Sequence, residues 1–309
     1  MLDVTRLRVL DAVARLGSFT EAARELHYSQ PTVSHHLARL EAETGAQLLQ
    51  RAGRRIRLTP AGELLATRAA EIIGRIDAAG SELAAHVGLT SSRVRVAGFA
   101  SVIGSLIPRA TAILAARHPG LQLSLTNTQP PEAIELLRAG KIDVAIIFRY
   151  GDTDPEPGDI RLHHLLDDPL YVLSTQPHQT LAALRDATWI AGCDRCRAHL
   201  VALCADAGFE PAIGYNSDNV VVMQALVAAG LGVTTSPGLA LRAHRIEGIE
   251  ATEIPGAGQR IYAATYGDPP DPPATAALLA ALAEAVPPGR SAATHQGQGQ
   301  PAIPSATPK

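Results

Sequence analysis

The stretch from Ser18 to Thr59 constrains this chain more than any other, because it spells out two helix starts, a helix stop and a hairpin in one short span. Ser18-Phe-Thr-Glu21 fits a capping box, in which the serine hydroxyl and the glutamate carboxylate satisfy orphan amides of a new helix. That helix runs through Ala22, Ala23 and Leu26 and stops near His27-Tyr28. Ser29 caps the next one, with Pro31 in the first turn, where a missing N–H costs nothing. Its apolar stripe is Val33, Leu37 and Leu40, so the opposite face carries Pro31, Thr32, His35, Ala38 and Arg39, with Ser34 on its flank. Such a small, polar face suits a DNA major groove. Upstream, Leu7, Leu10, Val13, Ala14 and Leu16 form a helical stripe that Gly17 ends. After Gly45, LLQRAGRRIRLT alternates as two short strands around a basic Ala52-Gly53-Arg54-Arg55 turn. Three helices and a hairpin in this order predict a winged helix-turn-helix.

Charge agrees with that reading only when it is located. The whole chain carries a net charge of −3, yet its first 60 residues hold nine Arg against six acidic residues. A basic head on an acidic body is the asymmetry of a DNA-contacting module attached to something with another role. At 309 residues the chain exceeds one ordinary domain, and 46% apolar with 18% charged residues is a globular balance. No apolar run reaches membrane-spanning length, and MLDVTRLRVL carries charges where a secretion signal needs an apolar stretch. The expectation is a cytoplasmic protein without membrane partners.

Four regions follow: the head at 1–59, a long helix at 60–88, an α/β body at 89–286 and a disordered tail at 287–309. Leu64, Leu65, Ile72, Ile73, Ile76, Leu83 and Val87 give the long helix more apolar surface than the head covers, which predicts packing against a second copy. In the body, RVRVAGF, LQLSLTN, DVAIIF, LYVLST, TWIAG and GVTTS read as strands alternating with helices, predicting a mostly parallel sheet. The tail has almost nothing apolar to bury.

The segment GSFTEAARELHYSQPTVSHHLARLEAETGAQLLQRAGRRIRLTPAG resembles the LysR-type transcriptional regulators: an Ala-Ala pair, Ser-Gln-Pro, Val-Ser, Leu-Glu and a closing Leu-Thr-Pro-Ala-Gly. KIDVAI and SDNVVVMQALVAAGLGVTTSP continue the likeness, which covers roughly residues 2–285. The resemblance implies a dimerising linker helix and a two-lobed, periplasmic-binding-protein-like effector domain. It also implies double-stranded operator DNA, a small-molecule effector, RNA polymerase and further copies of the chain, as a homodimer or dimer of dimers, for partners, and no cofactor. Two departures stand out: Leu49 where the family often has Phe, and His35 where it frequently has Arg.

On this reading Ser29 and Pro31 set the DNA-contacting helix tip, Gln30, Thr32, Ser34 and His35 face base edges, and Arg39, Arg51, Arg54 and Arg55 meet phosphates. In the body, ligands belong at the C-terminal ends of strands between the lobes. Ala100 and Ser101, Thr128 and Gln129, and Phe148 and Arg149 stand at such ends, Thr234 and Thr235 lie at a strand that would border the second lobe, and an organic anion would suit Arg149 and the helix amides. Cys193, Cys196 and Cys204 leave three readings open: inert thiols, a redox pair activated by Arg195 and Arg197, or a metal site with His199 as fourth ligand. A peroxide-sensing branch of the family uses a cysteine pair in the corresponding region, and Cys204-Ala-Asp-Ala-Gly is similar to the context of its second cysteine. No G-x-S-x-G elbow, P-loop or HExxH motif occurs, so an enzyme is not expected.

Overall fold

The computed structural model describes residues 2–52, 55–86, 93–151 and 160–287. The wing turn at Gly53 and Arg54, Val87, and the tail from residue 288 onward lie outside the described residues. The head consists of α1 (Val4–Leu16), α2 (Phe19–Glu25), α3 (Gln30–Thr44), β1 (Leu49–Ala52) and β2 (Arg55–Leu58). Each helix starts on a side-chain cap: Asp3, Ser18 and Ser29 accept from the backbone N–H of Arg6, Glu21 and Thr32. Gly17 and Gly45 end α1 and α3 in the left-handed region at φ 64° and 65°, which a side chain would resist.

Leu7, Leu10, Val13, Ala22, Ala23, Val33, Leu37 and Leu40 close into one head core. Glu41 then fastens the wing, because its carboxylate accepts from the backbone N–H of Leu48 at 2.8 Å and of Leu49 at 3.1 Å. The long helix α4 (Pro60–His86) begins where Thr59 Oγ1 accepts from the Gly62 N–H and donates to the Gln47 carbonyl. Gly62 sits so close to this strand that a Cβ there would lie 2.0 Å from the Leu48 carbonyl oxygen. Gly62→Ala is therefore expected to destabilise the head by about 1–3 kcal/mol through overpacking against backbone. A lowered thermal midpoint of the first transition checks this; an unchanged midpoint would contradict the packing at that joint.

The body is built on a six-stranded sheet of order β4-β3-β5-β10-β6-β9. Its strands are β3 (Arg93–Gly98), β4 (Gln122–Asn127), β5 (Val144–Arg149), β6 (Ile160–Ser174), β9 (Thr234–Pro237) and β10 (Glu250–Tyr266). The sequence predicts a mostly parallel sheet, and here it is corrected. Only β3 pairs in parallel, with β4 and β5, whereas β10 runs antiparallel to both β5 and β6, and β9 antiparallel to β6. The two long strands β6 and β10 pair from Ile160↔Tyr266 to Ser174↔Glu250, with an irregularity between Glu253 and Gly258, and so carry the sheet from one lobe into the other.

In the first lobe α5 (Ala100–Arg117) and α10 (Pro273–Ala285) share a core with Val94, Val96, Val144, Ile146 and Phe148 on one sheet face. Helix α6 (Pro130–Arg138) covers the other face through Ala133 and Leu137. The second lobe adds a parallel pair, β7 (Thr188–Ala191) with β8 (Ala212–Asn216), the helices α7 (Asp194–Asp206) and α8 (Val220–Ala228), and the short α9 (Gly238–Ala243) that follows β9. At the crossing, Asp168 is 1% exposed, and its carboxylate accepts from the backbone N–H of Leu239 at 2.9 Å and from Gln259 Nε2 at 3.2 Å. A carboxylate there supplies the cap that α9 lacks from its own sequence.

Helix α4 ties head to body. Ala66 and Ala69 enter the head core, and Arg8 pairs with Asp77 at 2.6 Å. Lower down, Arg75 lies 3.4 Å from the centroid of the Tyr266 ring and donates to the Leu137 carbonyl. No described helix is long and apolar enough to cross a membrane.

Candidate DNA-reading face and effector cleft

Helix α3 buries Val33, Leu37 and Leu40 and leaves Gln30, Pro31, Ser34, His35, Ala38 and Arg39 exposed. The face predicted from periodicity is the face left open, except that Thr32 is half-buried. The Thr32 hydroxyl lies 2.7 Å from the Ser29 hydroxyl, so both side chains take part in capping as well as standing at the helix tip. Tyr28 stacks on His36 at 5.7 Å between centroids, which stiffens the turn between α2 and α3. Arg6 and Arg15 are paired with Glu43 and Glu25, whereas no ion pair among the described residues engages Arg39 or Arg57. The backbones of Arg51 and Arg55 lie on β1 and β2, with their side chains, like Arg54, outside the described part.

Between the lobes lies a cleft with about 90 Å³ open to water-sized atoms, several waters' worth and room for part of a small organic molecule. Ala100, Ser101, Gln129, Phe148, Thr234 and Thr235, all singled out from sequence, line it. Thr128 and Arg149 do not, and they are corrections. The Thr128 hydroxyl donates to Glu132, a local bond at the start of α6. Arg149 falls on the opposite face of β5 from Phe148, because side chains alternate along a strand, and its guanidinium lies 5.8 Å from the Tyr262 ring centroid.

Sequence reasoning missed the other walls, which include Phe99, Tyr150, Leu170, Leu173, Asp218, Met223, Gln224, Ser236 and Gln259. Helix α5 opens into the cleft from the N-cap Phe99, which makes no side-chain cap bond, while the Val102 N–H is bonded to the Phe99 carbonyl at 3.1 Å. Gln259 stands on β10, a strand that no local signal announced. Walls that are mainly aromatic and aliphatic, with a few hydroxyls, amides and the Asp218 carboxylate, are those of a small-molecule site.

The same cleft holds Cys193 and Cys196. Their Sγ atoms are 2.7 Å apart, and Cys193 is the N-cap of α7, its sulfur accepting from the Cys196 N–H at 3.4 Å. The Cys196 thiol hydrogen bond, with the backbone donors and Arg195 beside it, brings Cys193 down to about 6 against the cost of burial. Cys196 is pushed up by the same bond and by burial, and the nearby Tyr150 hydroxyl is pushed up by burial. Cys204 is fully buried in the core of the second lobe, and burial raises its thiol to about 11. His199 stacks flat on Tyr150 at 3.9 Å, and among the described residues no three His, Cys, Asp or Glu side chains come together to hold a metal.

Comparison with known proteins places these features in one family. Residues 4–63 match the helix-turn-helix model of bacterial regulatory proteins of the LysR family, and residues 88–287 match the LysR substrate binding domain. The Hca operon transcriptional activator HcaR of Escherichia coli is 30% identical over 249 residues, which is 77% of this chain and 82% of the relative. A probable hydrogen peroxide-inducible genes activator of Mycobacterium avium is 30% identical over 245 residues, 76% of this chain and 77% of the relative. Among solved structures, the LysR family transcriptional regulator CbnR superposes with a TM-score of 0.67 at 24% identity, covering 92% of this chain and 99% of that one. CbnR bound to its target DNA gives 0.66 over 92% and 100%. With its winged head, its substrate-binding body and these relatives, the chain belongs to the LysR family of DNA-binding transcriptional regulators and is not an enzyme.

Proposed function

We propose that α3 reads an operator and that the inter-lobe cleft binds a small, largely apolar organic molecule whose acidic group sits on the open N-terminus of α5. In this reading Gln30, Thr32, Ser34 and His35 face bases at the helix tip set by Ser29 and Pro31, and Arg39, Arg51, Arg54 and Arg55 hold phosphates. The observation that carries the effector half is that one cavity gathers Ala100, Ser101, Gln129, Phe148, Thr234 and Thr235 from both lobes. A ligand touching both lobes stabilises the closed arrangement in proportion to its preference for it. Through α4, held on the head by Arg8–Asp77 and on the body by Arg75, that preference reaches the spacing of the heads on DNA. The chain would work as a homodimer or dimer of dimers in the cytoplasm, beside RNA polymerase at the promoters it controls.

Arg149 does not line this cleft, so we assign the acidic subsite to the hydroxyls and amides at α5. A thermal-shift screen of small aromatic and aliphatic carboxylic acids tests this. A true ligand at 100 times its Kd adds about 2.7 kcal/mol to stability. Ser101→Phe, which fills the subsite, is expected to abolish the shift, and hits that survive it would place the ligand elsewhere.

A second reading, a thiol-responsive regulator, is favoured by a separate observation: Cys193 and Cys196 stand together in the wall of this cleft. The metal variant of it lacks a group of three ligands among the described residues.

A further inference from the structure

We propose that Cys193 and Cys196 form a redox-active site of the thiol–disulfide exchange type, which takes low-molecular-weight disulfides that enter through the cleft. The inference deepens the thiol-responsive reading and rests on it only for its effect on DNA; the bond chemistry stands by itself.

The geometry assigns the two sulfurs different roles. Cys193 sits at the N-cap of α7, where backbone amides and the positive end of the helix stabilise an anion. Its Sγ lies 2.7 Å from the Cys196 Sγ and accepts from the Cys196 N–H at 3.4 Å, and these backbone donors favour its thiolate, so Cys193 is the nucleophile. Cys196 lies one helical turn inward and keeps its proton, with the Tyr150 hydroxyl beside it, so it is the resolving thiol. Gly192 makes room for the pair: a Cβ there would lie 3.1 Å from the Cys196 Cβ. Both cysteines are partly exposed and line open space, so a reagent has access.

Cys204 cannot be the partner. It follows Cys196 by eight residues on the same helix, about 12 Å along the axis at the helical rise, whereas bridged Cα atoms lie within about 7 Å. It is also buried to 0% exposure in the second lobe's core. Its likeness to a redox cysteine in sequence is therefore not matched by its position.

The reaction balances without a metal or an oxidant beyond the disulfide. The Cys193 thiolate attacks one sulfur of R–S–S–R, forming a mixed disulfide and releasing R–S⁻. Cys196 then loses its proton and attacks the Cys193 sulfur, closing the intramolecular bond and releasing the second R–S⁻. The protein loses two protons and two electrons, and the small disulfide takes them up to give two thiols.

The full-length protein incubated with oxidised glutathione and quenched in acid tests this by intact mass and peptide mapping. Loss of two hydrogens confined to the Cys193–Cys196 peptide, reversed by dithiothreitol, is expected. Cys196→Ser should trap one glutathionyl group on Cys193, whereas Cys193→Ser should leave Cys196 unmodified. Trapping by Cys196→Ser should rise with pH, because only the Cys193 thiolate attacks. Three thiols that stay free over a full range of reduced-to-oxidised glutathione ratios would overturn the proposal, as would equal trapping on Cys196 or any bond to Cys204. A disulfide that forms yet leaves DNA binding unchanged supports the couple and removes only the thiol-responsive reading.

Discussion

Full-length protein carrying Ser34→Ala and His35→Ala is expected to lose sequence-specific DNA binding by roughly 10²-fold or more, since a good base contact discriminates by about 1–3 kcal/mol. Neither side chain contributes to the head core, because both are exposed while Val33, Leu37 and Leu40 hold α3 in place. The thermal midpoint and far-UV circular dichroism should therefore remain those of the parent chain. Binding to random-sequence DNA should also persist, because the arginines that meet phosphates are untouched. Gel shifts against specific and random duplexes at fixed salt separate these outcomes. A double variant that still discriminates would remove α3 from the reading of bases.

The second large effect concerns α4. Leu64 and Leu83 are 65% and 64% exposed, and Ile76 and Ile72 are 44% and 38% exposed, an apolar surface that neither the head nor the body covers. Each such side chain gains about 1.5–3 kcal/mol when a partner buries it. Ile72→Asp together with Ile76→Asp would place two charges in that seam and is expected to yield a monomer by analytical ultracentrifugation. Operator affinity should then fall about 10²–10⁴-fold, the loss of linkage between two half-site contacts, although each head stays folded. A variant that sediments as the parent does would mean that copies associate through another surface.

These two expectations rest on the parts of the chain that local chemistry makes legible. Ser18, Ser29, Pro31 and Gly45 mark helix ends by their own hydrogen-bonding and backbone preferences, so α2 and α3 could be placed from sequence with their faces assigned. Packing and joining account for much of the family-like motif. Ala22 and Ala23 lie in the head core, Glu41 holds the wing, and Thr59 and Gly62 join the wing to α4. Gln30 and Ser34, exposed on α3, are motif positions that packing leaves unexplained.

The body was less legible because its decisive pairings are distant. Two thirds of β6 and all of β10 went unread: Pro169 and Gly258 oppose each other in the middle of the two strands, where such residues ordinarily signal turns. They sit at the crossing between lobes, where a break in regular pairing lets the strands pass from one lobe to the other. Four of the six cleft residues found from sequence, Ala100, Ser101, Gln129 and Phe148, came from one rule, the C-terminal ends of strands, whereas Thr234 and Thr235 open β9. The rule erred for Arg149, which strand alternation turns away, and for Thr128, whose hydroxyl is bound to Glu132. The CxxC spacing was plain in the sequence, but its place in the cleft wall depends on how α7 meets Phe148 and Tyr150 of the other lobe.

The central claim is that this chain recognises particular DNA through α3 as a symmetric assembly. Selection of bound duplexes from a random pool by the full-length protein tests it most directly, because the operator need not be known beforehand. Enrichment of an inverted repeat whose half-sites lie a whole number of helical turns apart, about 10.5 base pairs each, is the result expected, and the Ser34→Ala, His35→Ala variant should fail to enrich it. A pool that shows no consensus, or the same consensus with the variant, would contradict the account.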